Sequence, residues 1–380
     1  MPKIRYPGAQ KQFNQSGTAQ KYGIAKQALV PEIDRIMTTY ALRGFHRGSR
    51  GVSYQLLQEG FIPSNLEVFD MIEDMVKKGR EMGLFDWDHL EIDASRQLHQ
   101  LPHWPGVSER LRSAAQNHRL DLWASQPVRS EVVVEKDGQA GTVAPLCQAY
   151  NVPYMSSHGT ASITLAWRLA RRALERTHHG RLLMRLHDHT GDGEYDLDLI
   201  RVALELRRPE RGTLAWYVQR WAKEDKQLYP RRRDQLTVVL YGGDHDPTGF
   251  QMEEVHLRDT LTNYGADPSI VTIKRVLLTW DQAHGLQPDG TMGPAPLAFP
   301  AKIADPNHAW YVQRFGTMDA WEMDALEPEV IVAFFEAAIQ ATITAGPWNR
   351  ADRTQKRQRE HMCAVADQWE SVLAHLGRRP

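Results

Sequence analysis

Hydrophobic residues recur at helical spacing in the N-terminal region. Apolar positions in residues 31–42 and 62–84 repeat every three to four residues, which predicts amphipathic helices because about 3.6 residues make one turn. Another helix is expected to begin near Ser53 and to bury Tyr54, Leu57 and Phe61. A short extended piece at 83–93 follows, and three helices with a β element favour a winged-helix-like module.

Beyond residue 127, short β-branched runs alternate with segments of helical periodicity. Strands are predicted for the runs SEVVVE, PYMSS, LTVVLY and IVTIKRVLL. Strands that alternate with helices favour a parallel sheet with crossover connections. The sequence therefore predicts an α/β fold.

These patterns divide the chain into segments. The polar, Gln- and Gly-rich residues 1–28 are expected to form a flexible arm. The expected domains that follow are the winged-helix-like module at 29–105, a polar linker at 106–127, an α/β domain at 128–346 and a C-terminal helix at 347–380.

Composition favours a cytoplasmic protein. No apolar run reaches the roughly 18 residues that indicate a membrane span, and the polar N-terminus has no secretory signal pattern. Cys147 and Cys363 form neither a disulfide framework nor a zinc motif, which is typical of a reducing compartment.

The charge pattern allows a local nucleic-acid surface but no general one. A formal net charge of −1 argues against a protein that coats nucleic acid through bulk charge. The run RGFHRGSR is locally basic, and Arg43, His46 and Arg47 are candidate DNA-binding residues, with Lys136 further along the chain. The alternative is an ordinary solvated face.

The stretch LTVVLYGGDHDPTGF leads from a buried strand into two carboxylates. Asp244 and Asp246 are two residues apart, so in an extended segment they face the same side and could share a hard cation. Mg²⁺ suits such oxygen ligands, and the glycines Gly242, Gly243 and Gly249 permit close approach of the backbone. An acidic loop without a metal is the alternative.

Three pieces of sequence resemble the Toprim domain, and more closely the A subunit of type IIB topoisomerases and their meiotic break-forming relatives. They are VVVEKDG, DHDPTG and WEMDAL. The resemblance implies that Glu135, Asp244 and Asp246 are Mg²⁺ ligands and that Glu322 and Asp324 border the site. A lysine between the three acids, or a large distance from Glu135 to the aspartates, would contradict this interpretation.

A second acidic stretch, HDHTGDG at 187–193, departs from the family pattern. It is interpreted as part of an insertion at about 180–235, although a degenerate copy or a true sheet strand is an alternative. Asp188 and Asp192 are therefore reserve candidates for the metal site.

The run SRGVSYQLL contains the candidate nucleophile. Type IIB enzymes cut DNA with a tyrosine that follows an arginine by four residues, and here Arg50 precedes Tyr54 at that spacing, with Arg80 as a further family arginine. An arginine can hold a phosphate while the phenol forms a phosphotyrosyl ester. The alternative is a tyrosine that packs in the core of the module.

The resemblance implies Mg²⁺-dependent DNA cleavage by a homodimer that acts on double-stranded DNA. The chain has no G-x-x-x-x-G-K-[ST] motif, so an ATPase would have to be a separate subunit. The alternatives are a Toprim-type nuclease that uses water and a DNA-binding protein without chemistry. No membrane partner is expected.

Overall fold

The computed structural model describes residues 12–86, 89, 102–157, 163–190, 195–229 and 233–375. The chain divides into two compact units. The first contains residues 1–94, 130–172 and 238–339, and the second contains residues 95–129, 173–237 and 340–380.

The elements are numbered along the chain. The helices are α1 (Gly17–Lys21), α2 (Lys26–Leu42), α3 (Ser49–Gln58), α4 (Leu66–Glu81), α5 (Val107–Asn117), α6 (Asp137–Ala149), α7 (Ile163–Glu175), α8 (His178–Thr190), α9 (Leu197–Glu205), α10 (Leu214–Leu228), α11 (Pro247–Gln251), α12 (Arg258–Asn263), α13 (Trp280–Ala283), α14 (His308–Phe315), α15 (Pro328–Thr342), α16 (Ala345–Asp367) and α17 (Trp369–His375). The strands are β1 (Val128–Val134), β2 (Tyr154–Ser156), β3 (Leu236–Gly242), β4 (Val271–Leu277), β5 (Phe299–Pro300) and β6 (Asp319–Ala320). A π-helical turn spans Met252–Leu257, and a 3₁₀ turn spans Met323–Ala325.

The N-terminal part of the first unit is helical, as predicted. Helices α2, α3 and α4 bury one apolar stripe each, and Asn65 caps α4 by accepting the backbone N–H of Glu67 at 2.8 Å. Helix α3 begins at Ser49 rather than near Ser53, and Phe61, which was expected to be buried, is 43% exposed. The extended piece that would complete a winged helix lies largely outside the described residues, so that architecture stays a prediction.

The expected flexible arm is wrong for its second half. Residues 17–21 form helix α1, which Ser16 caps, and Ala19 and Ile24 are buried in the core of the helical module. These apolar anchors offset the entropy cost of ordering the segment. Helix α2 also begins earlier than expected, at Lys26, so that Pro31 lies inside it.

The α/β prediction is confirmed at the level of a mixed fold with a four-stranded parallel sheet. The strand order is β2-β1-β3-β4. In β1 and β3, Val132, Val133, Val239 and Leu240 are fully buried, because a parallel sheet is covered on both faces and its strands are nearly continuous apolar runs.

The strand order places a topological switch point between β1 and β3. From β1 the chain continues to β2 on one side, and β3 lies on the other side. The backbone N–H of Glu135 donates to the carbonyl of Gly242 at 2.9 Å, which joins the carboxyl ends of these two strands. Ligands bind preferentially outside such ends in open α/β sheets.

The second unit is helical and corrects two expectations. Residues 107–117 of the presumed linker form α5, which packs along α16; Ser108 donates to the carbonyl of Ala366 at 2.7 Å. The segment that could have been an acidic strand is helix α8, because Leu182, Leu183 and Leu186 bury one helical face. Asp188 therefore lies on a helix, and Asp192 lies outside the described residues.

Within the described part of the chain, no single helix has the length and apolar character needed to cross a membrane. One bent pair, Pro328–Thr342 with Ala345–Asp367, meets these criteria only when its two helices are counted together.

Candidate functional site

The two aspartates that follow β3 make different hydrogen bonds. Asp246 caps helix α11, and its Oδ1 accepts the N–H of Gly249 at 2.6 Å. Asp244 is only 4% exposed, and its Oδ1 accepts the backbone N–H of Met323 at 2.8 Å. Glu135, at the end of the neighbouring strand, accepts the N–H of Asp244 at 2.9 Å. The expected proximity of Glu135 to Asp244 is therefore observed.

Glycines bring the backbone close at this turn, as expected. A Cβ on Gly249 would lie 2.4 Å from the carbonyl oxygen of Asp244, and one on Gly242 would lie 2.8 Å from the ring of Phe335. Such separations are shorter than atomic contact allows, so any side chain there must displace its neighbours.

We expect Gly249→Ala to destabilise the protein by at least about 2 kcal/mol, since the clash is with backbone and cannot be relieved by a side-chain rotation. Gly346→Ala in helix α16 is the matched control: its Cβ would be 3.7 Å from Arg350, an ordinary contact, and alanine is the better helix former. Denaturant unfolding measures both. Equal stabilities of Gly249→Ala and the parent would contradict the close approach.

The WEMDAL segment is joined to the aspartate turn by main-chain bonds. The N–H of His245 donates to the carbonyl of Trp321 at 2.8 Å, and the N–H of Trp321 donates back to His245 at 3.0 Å. This antiparallel bridge carries Glu322 and Asp324 to the same rim of the sheet as Asp244. Their expected position beside the site is thus observed.

His245 is the internal anchor of the turn. Its ring is fully buried, and its Nδ1 lies 2.6 Å from the hydroxyl of Tyr311. Rings surround it at centroid distances of 4.7 to 5.7 Å, from Phe250, Trp280, Tyr311, Phe315 and Trp321. Burial lowers the pKa of His245 to about 3. The imidazole is therefore neutral at ordinary pH and holds the turn by packing.

Arg275 and Glu253 form a second support that sequence reasoning missed. Arg275, on β4, donates to the carbonyls of Gly243 at 3.0 Å and Asp244 at 2.5 Å, and its guanidinium stacks 3.9 Å from the ring centroid of Phe250. Glu253, in the π-helical turn, pairs with Arg275 at 2.9 Å, and both side chains are buried. A charged residue inside an apolar strand run was the available signal.

Lys136 is the cation at the centre of this acidic cluster. Its Nζ lies 2.7 Å from Asp244 Oδ2, 3.3 Å from Asp324 Oδ2 and 3.4 Å from Glu322 Oε2. Burial raises the pKa of Asp244 to about 8, with Lys136 opposing and Glu135 adding to the rise. Burial also raises the pKa values of Glu135 and Asp246. Burial therefore favours the protonated forms of these three acids, and Lys136 opposes that effect.

The acids do not fit a divalent ion in this conformation. Oxygen donors are what Mg²⁺ prefers, but the described residues contain no group of three or more His, Cys, Asp or Glu side chains placed to hold a metal. Asp246 turns to cap α11, and Lys136 takes the place beside Asp244 that a metal would need. The role of Lys136 as a DNA contact is likewise not supported, since its ammonium is engaged by carboxylates.

Tyr54 reaches the same cluster from helix α3. Its hydroxyl donates to Glu322 Oε2, and its ring packs edge-on against Phe69 at 5.0 Å and Phe299 at 5.5 Å. The side chain is 2% exposed. Burial and then the carboxylate of Glu322 raise the pKa of this phenol. Core packing and contact with the acidic cluster therefore coexist.

The predicted arginines differ in their surroundings. Arg50 interacts with the hydroxyl of Tyr54, whereas Arg80 lies half-buried in the last turn of α4, and its role stays a prediction. Arg47 is 8% exposed and donates to the carbonyls of Gly51 at 3.2 Å and Leu326 at 2.5 Å, so it is a structural contact here. Arg43 pairs with Glu329 at 3.3 Å and stays exposed, as does His46.

A cavity of about 210 Å³ is lined by both Arg50 and Lys136. Residues 46–51, at the start of α3, line one wall, and Lys136, Gly138, Gln139 and Asp324 line the other. This volume is below that of typical drug-sized ligand sites, so it suits a small group such as one phosphate. The cavity brings Arg50 and Lys136 to one space.

Comparisons of this chain with protein-family models, with curated proteins and with solved structures give no match.

Proposed function

We propose that the chain is a DNA-cleaving transesterase in which Tyr54 attacks a phosphodiester. The observation that carries the proposal is the contact of the Tyr54 hydroxyl with Glu322, a residue 268 positions away that belongs to the acidic cluster at the sheet rim. A tyrosine that served only the core of the helical module would not need its polar end at this cluster. The winged-helix-like module and the sequence resemblance to Toprim proteins remain part of the proposal, but a Toprim-type Mg²⁺ site does not, because Lys136 lies beside Asp244.

The residues around the hydroxyl suit attack on a phosphate. Arg50 can hold a nonbridging phosphate oxygen in the adjacent cavity, and its planar guanidinium keeps its charge at all relevant pH values. Lys136 lines the other wall of that cavity, and its ammonium is held by Asp244, Glu322 and Asp324. Bond formation from Tyr54 Oη to phosphorus displaces one deoxyribose oxygen and leaves a phosphotyrosyl ester.

Substrate must first open the site, because the Tyr54 ring is covered in this conformation. Double-stranded DNA is the proposed substrate, and a homodimer would supply one tyrosine for each strand. A separate ATPase subunit would be needed for any ATP-driven cycle. No step is assigned to Mg²⁺, since the carboxylates are not arranged to hold it.

A DNA-binding protein without chemistry is the second candidate. It is favoured by the pairing of Lys136 with Asp244 and by the burial of Tyr54, both of which describe a well-packed, chemically quiet site. In that case Arg43 and His46 would be the exposed residues most suited to contact phosphates.

One assay separates these functions. The full chain is incubated with supercoiled plasmid in Mg²⁺, Mn²⁺ or EDTA, stopped with SDS, and analysed before and after protease treatment. The proposed function predicts broken DNA with protein covalently attached to one end of each cut strand. Breaks without attached protein would indicate a nuclease that uses water. Intact plasmid in every condition would indicate a DNA-binding protein without chemistry. The dependence on metal tests the predicted Mg²⁺ requirement directly.

A further inference from the structure

The Tyr54–Glu322 contact has the geometry of a nucleophile and its base. A general base must lie within hydrogen-bond reach of the proton that it removes. The hydroxyl of Tyr54 donates a hydrogen bond to Glu322 Oε2, and the same carboxylate oxygen lies 3.4 Å from Lys136 Nζ. Glu322 is held in place from behind, because the neighbouring Trp321 is bridged to His245 through two main-chain bonds.

We propose that Glu322 is the catalytic base that accepts the phenol proton of Tyr54, an inference that rests on the proposed function. As the bond from Tyr54 Oη to phosphorus forms, the O–H bond breaks and its proton passes to Glu322. The bond from phosphorus to one deoxyribose oxygen breaks and leaves its electron pair on that oxygen. The released hydroxyl gains one proton, which balances the proton lost by the phenol, so that no other reactant is needed.

The charged groups around the phenol support this direction of transfer. Arg50 and Lys136 are the cations that face it, and Glu322 is the facing anion; Glu73 and Asp324 lie behind Arg50 and Lys136 respectively. In the free protein Glu322 stabilises the protonated phenol. A phosphate bound to Arg50 offers the phenol oxygen an electrophile, and the existing hydrogen bond already defines where the proton goes.

The test compares the wild type with Glu322→Gln, which keeps the shape of the side chain but cannot take up the proton. The readout is the single-turnover rate of covalent adduct formation at saturating DNA. We expect a loss of about 10²- to 10⁴-fold, the usual contribution of general-base catalysis. Glu336→Gln is the matched control, since it removes a similar contact, the hydroxyl of Tyr150 to Glu336 at 2.8 Å, away from the site.

A second variant separates proton transfer from positioning. Replacing Tyr54 by 3,5-difluorotyrosine lowers the pKa of the phenol, so that the reaction depends less on a base that removes its proton. The loss caused by Glu322→Gln should then shrink at least about 10-fold, whereas a positioning role would give the same loss with either phenol. ¹⁹F NMR of the free protein reports the contact itself: the fluorinated phenol should ionise at lower pH in Glu322→Gln than in the parent.

The following results would overturn the assignment of Glu322 as the base. A Glu322→Gln protein that reacts as fast as the wild type, or faster, shows that the contact is dispensable or restrains the tyrosine. An unchanged ¹⁹F titration shows that the contact is absent in solution. If the wild type forms no adduct at all, the proposed function fails and the base role fails with it, whereas a wild-type adduct that survives Glu322→Gln removes the base role alone.

Discussion

Tyr54→Phe should abolish the covalent protein–DNA adduct, with a loss of at least about 10³-fold in the rate of its formation. Removal of a nucleophile has effects of this size or larger, because the groups that remain cannot form the bond. The ring contacts with Phe69 and Phe299 are kept. Stability should fall by about 1.5–3 kcal/mol, the usual contribution of a hydrogen bond to a charged group.

The matched control is Tyr40→Phe. Tyr40 belongs to the same helical module, is 4% exposed and also donates to a carboxylate, Glu327 at 2.8 Å. Its loss should leave the adduct unchanged. If Tyr54→Phe and the wild type yield the same adduct, another residue is the nucleophile; if both variants lose it equally, the effect comes from the packing of the module.

Lys136→Met should destabilise the protein by about 3 kcal/mol above pH 8, where Asp244 is ionised. Removing one partner of a buried ion pair leaves an uncompensated charge and costs about 3–5 kcal/mol. The lower end of this energy range applies because 31% of the Lys136 side chain is exposed. Denaturant unfolding in the presence of EDTA measures the loss.

The loss should depend on pH in a defined direction. The pKa of Asp244 rises from 3.8 to about 8 in the folded protein, so its charged form opposes folding and stability falls as pH rises through that window. Without the ammonium the charged form costs more. The difference between Lys136→Met and the wild type should therefore be small near pH 4 and largest above pH 8.

Two comparisons make this result specific. Lys21→Met removes an exposed pair with Glu67 and should change stability far less at any pH, because solvent screens that pair. Added Mg²⁺ should restore part of the stability of Lys136→Met only if the acids bind the metal once the lysine is gone. Unchanged stability of Lys136→Met would show that the ammonium does not neutralise the cluster.

Sequence reasoning predicted the sheet well and the small helices poorly. Apolar runs such as LTVVLY identify buried strands because both of their faces are covered, and that alone brought Glu135 near Asp244 at the carboxyl ends of adjacent strands. Helix α5 was missed because Ala115 is its only fully buried residue, so its pattern resembles that of a polar loop. Helix α8 was ambiguous because its short apolar run fits either period.

Sequence reasoning predicted only those parts of the site that follow from the residue pattern within one segment. The meeting of Tyr54 with Glu322 depends on how the helical module packs against the sheet rim, and no periodicity within either segment encodes that. Lys136 was predicted to contact DNA, but three acids surround its ammonium in the structure, and the sequence did not show that they would converge on it. Arg275 could have been noticed as a charged residue inside an apolar strand run, but nothing in the sequence indicated that Glu253 would be its partner.

The main-chain bridge between His245 and Trp321 makes the two sides of the site differ in how readily they tolerate substitutions. Main-chain hydrogen bonds between His245 and Trp321 fix the spacing of Asp244 and Glu322, and the close contacts at Gly243 and Gly249 limit substitution at the turn itself. Helix α3 meets it through side chains alone. Substitutions in the segment before Tyr54 are therefore expected to be tolerated more readily than substitutions at the bridged turn, which holds the two acids as one rigid piece.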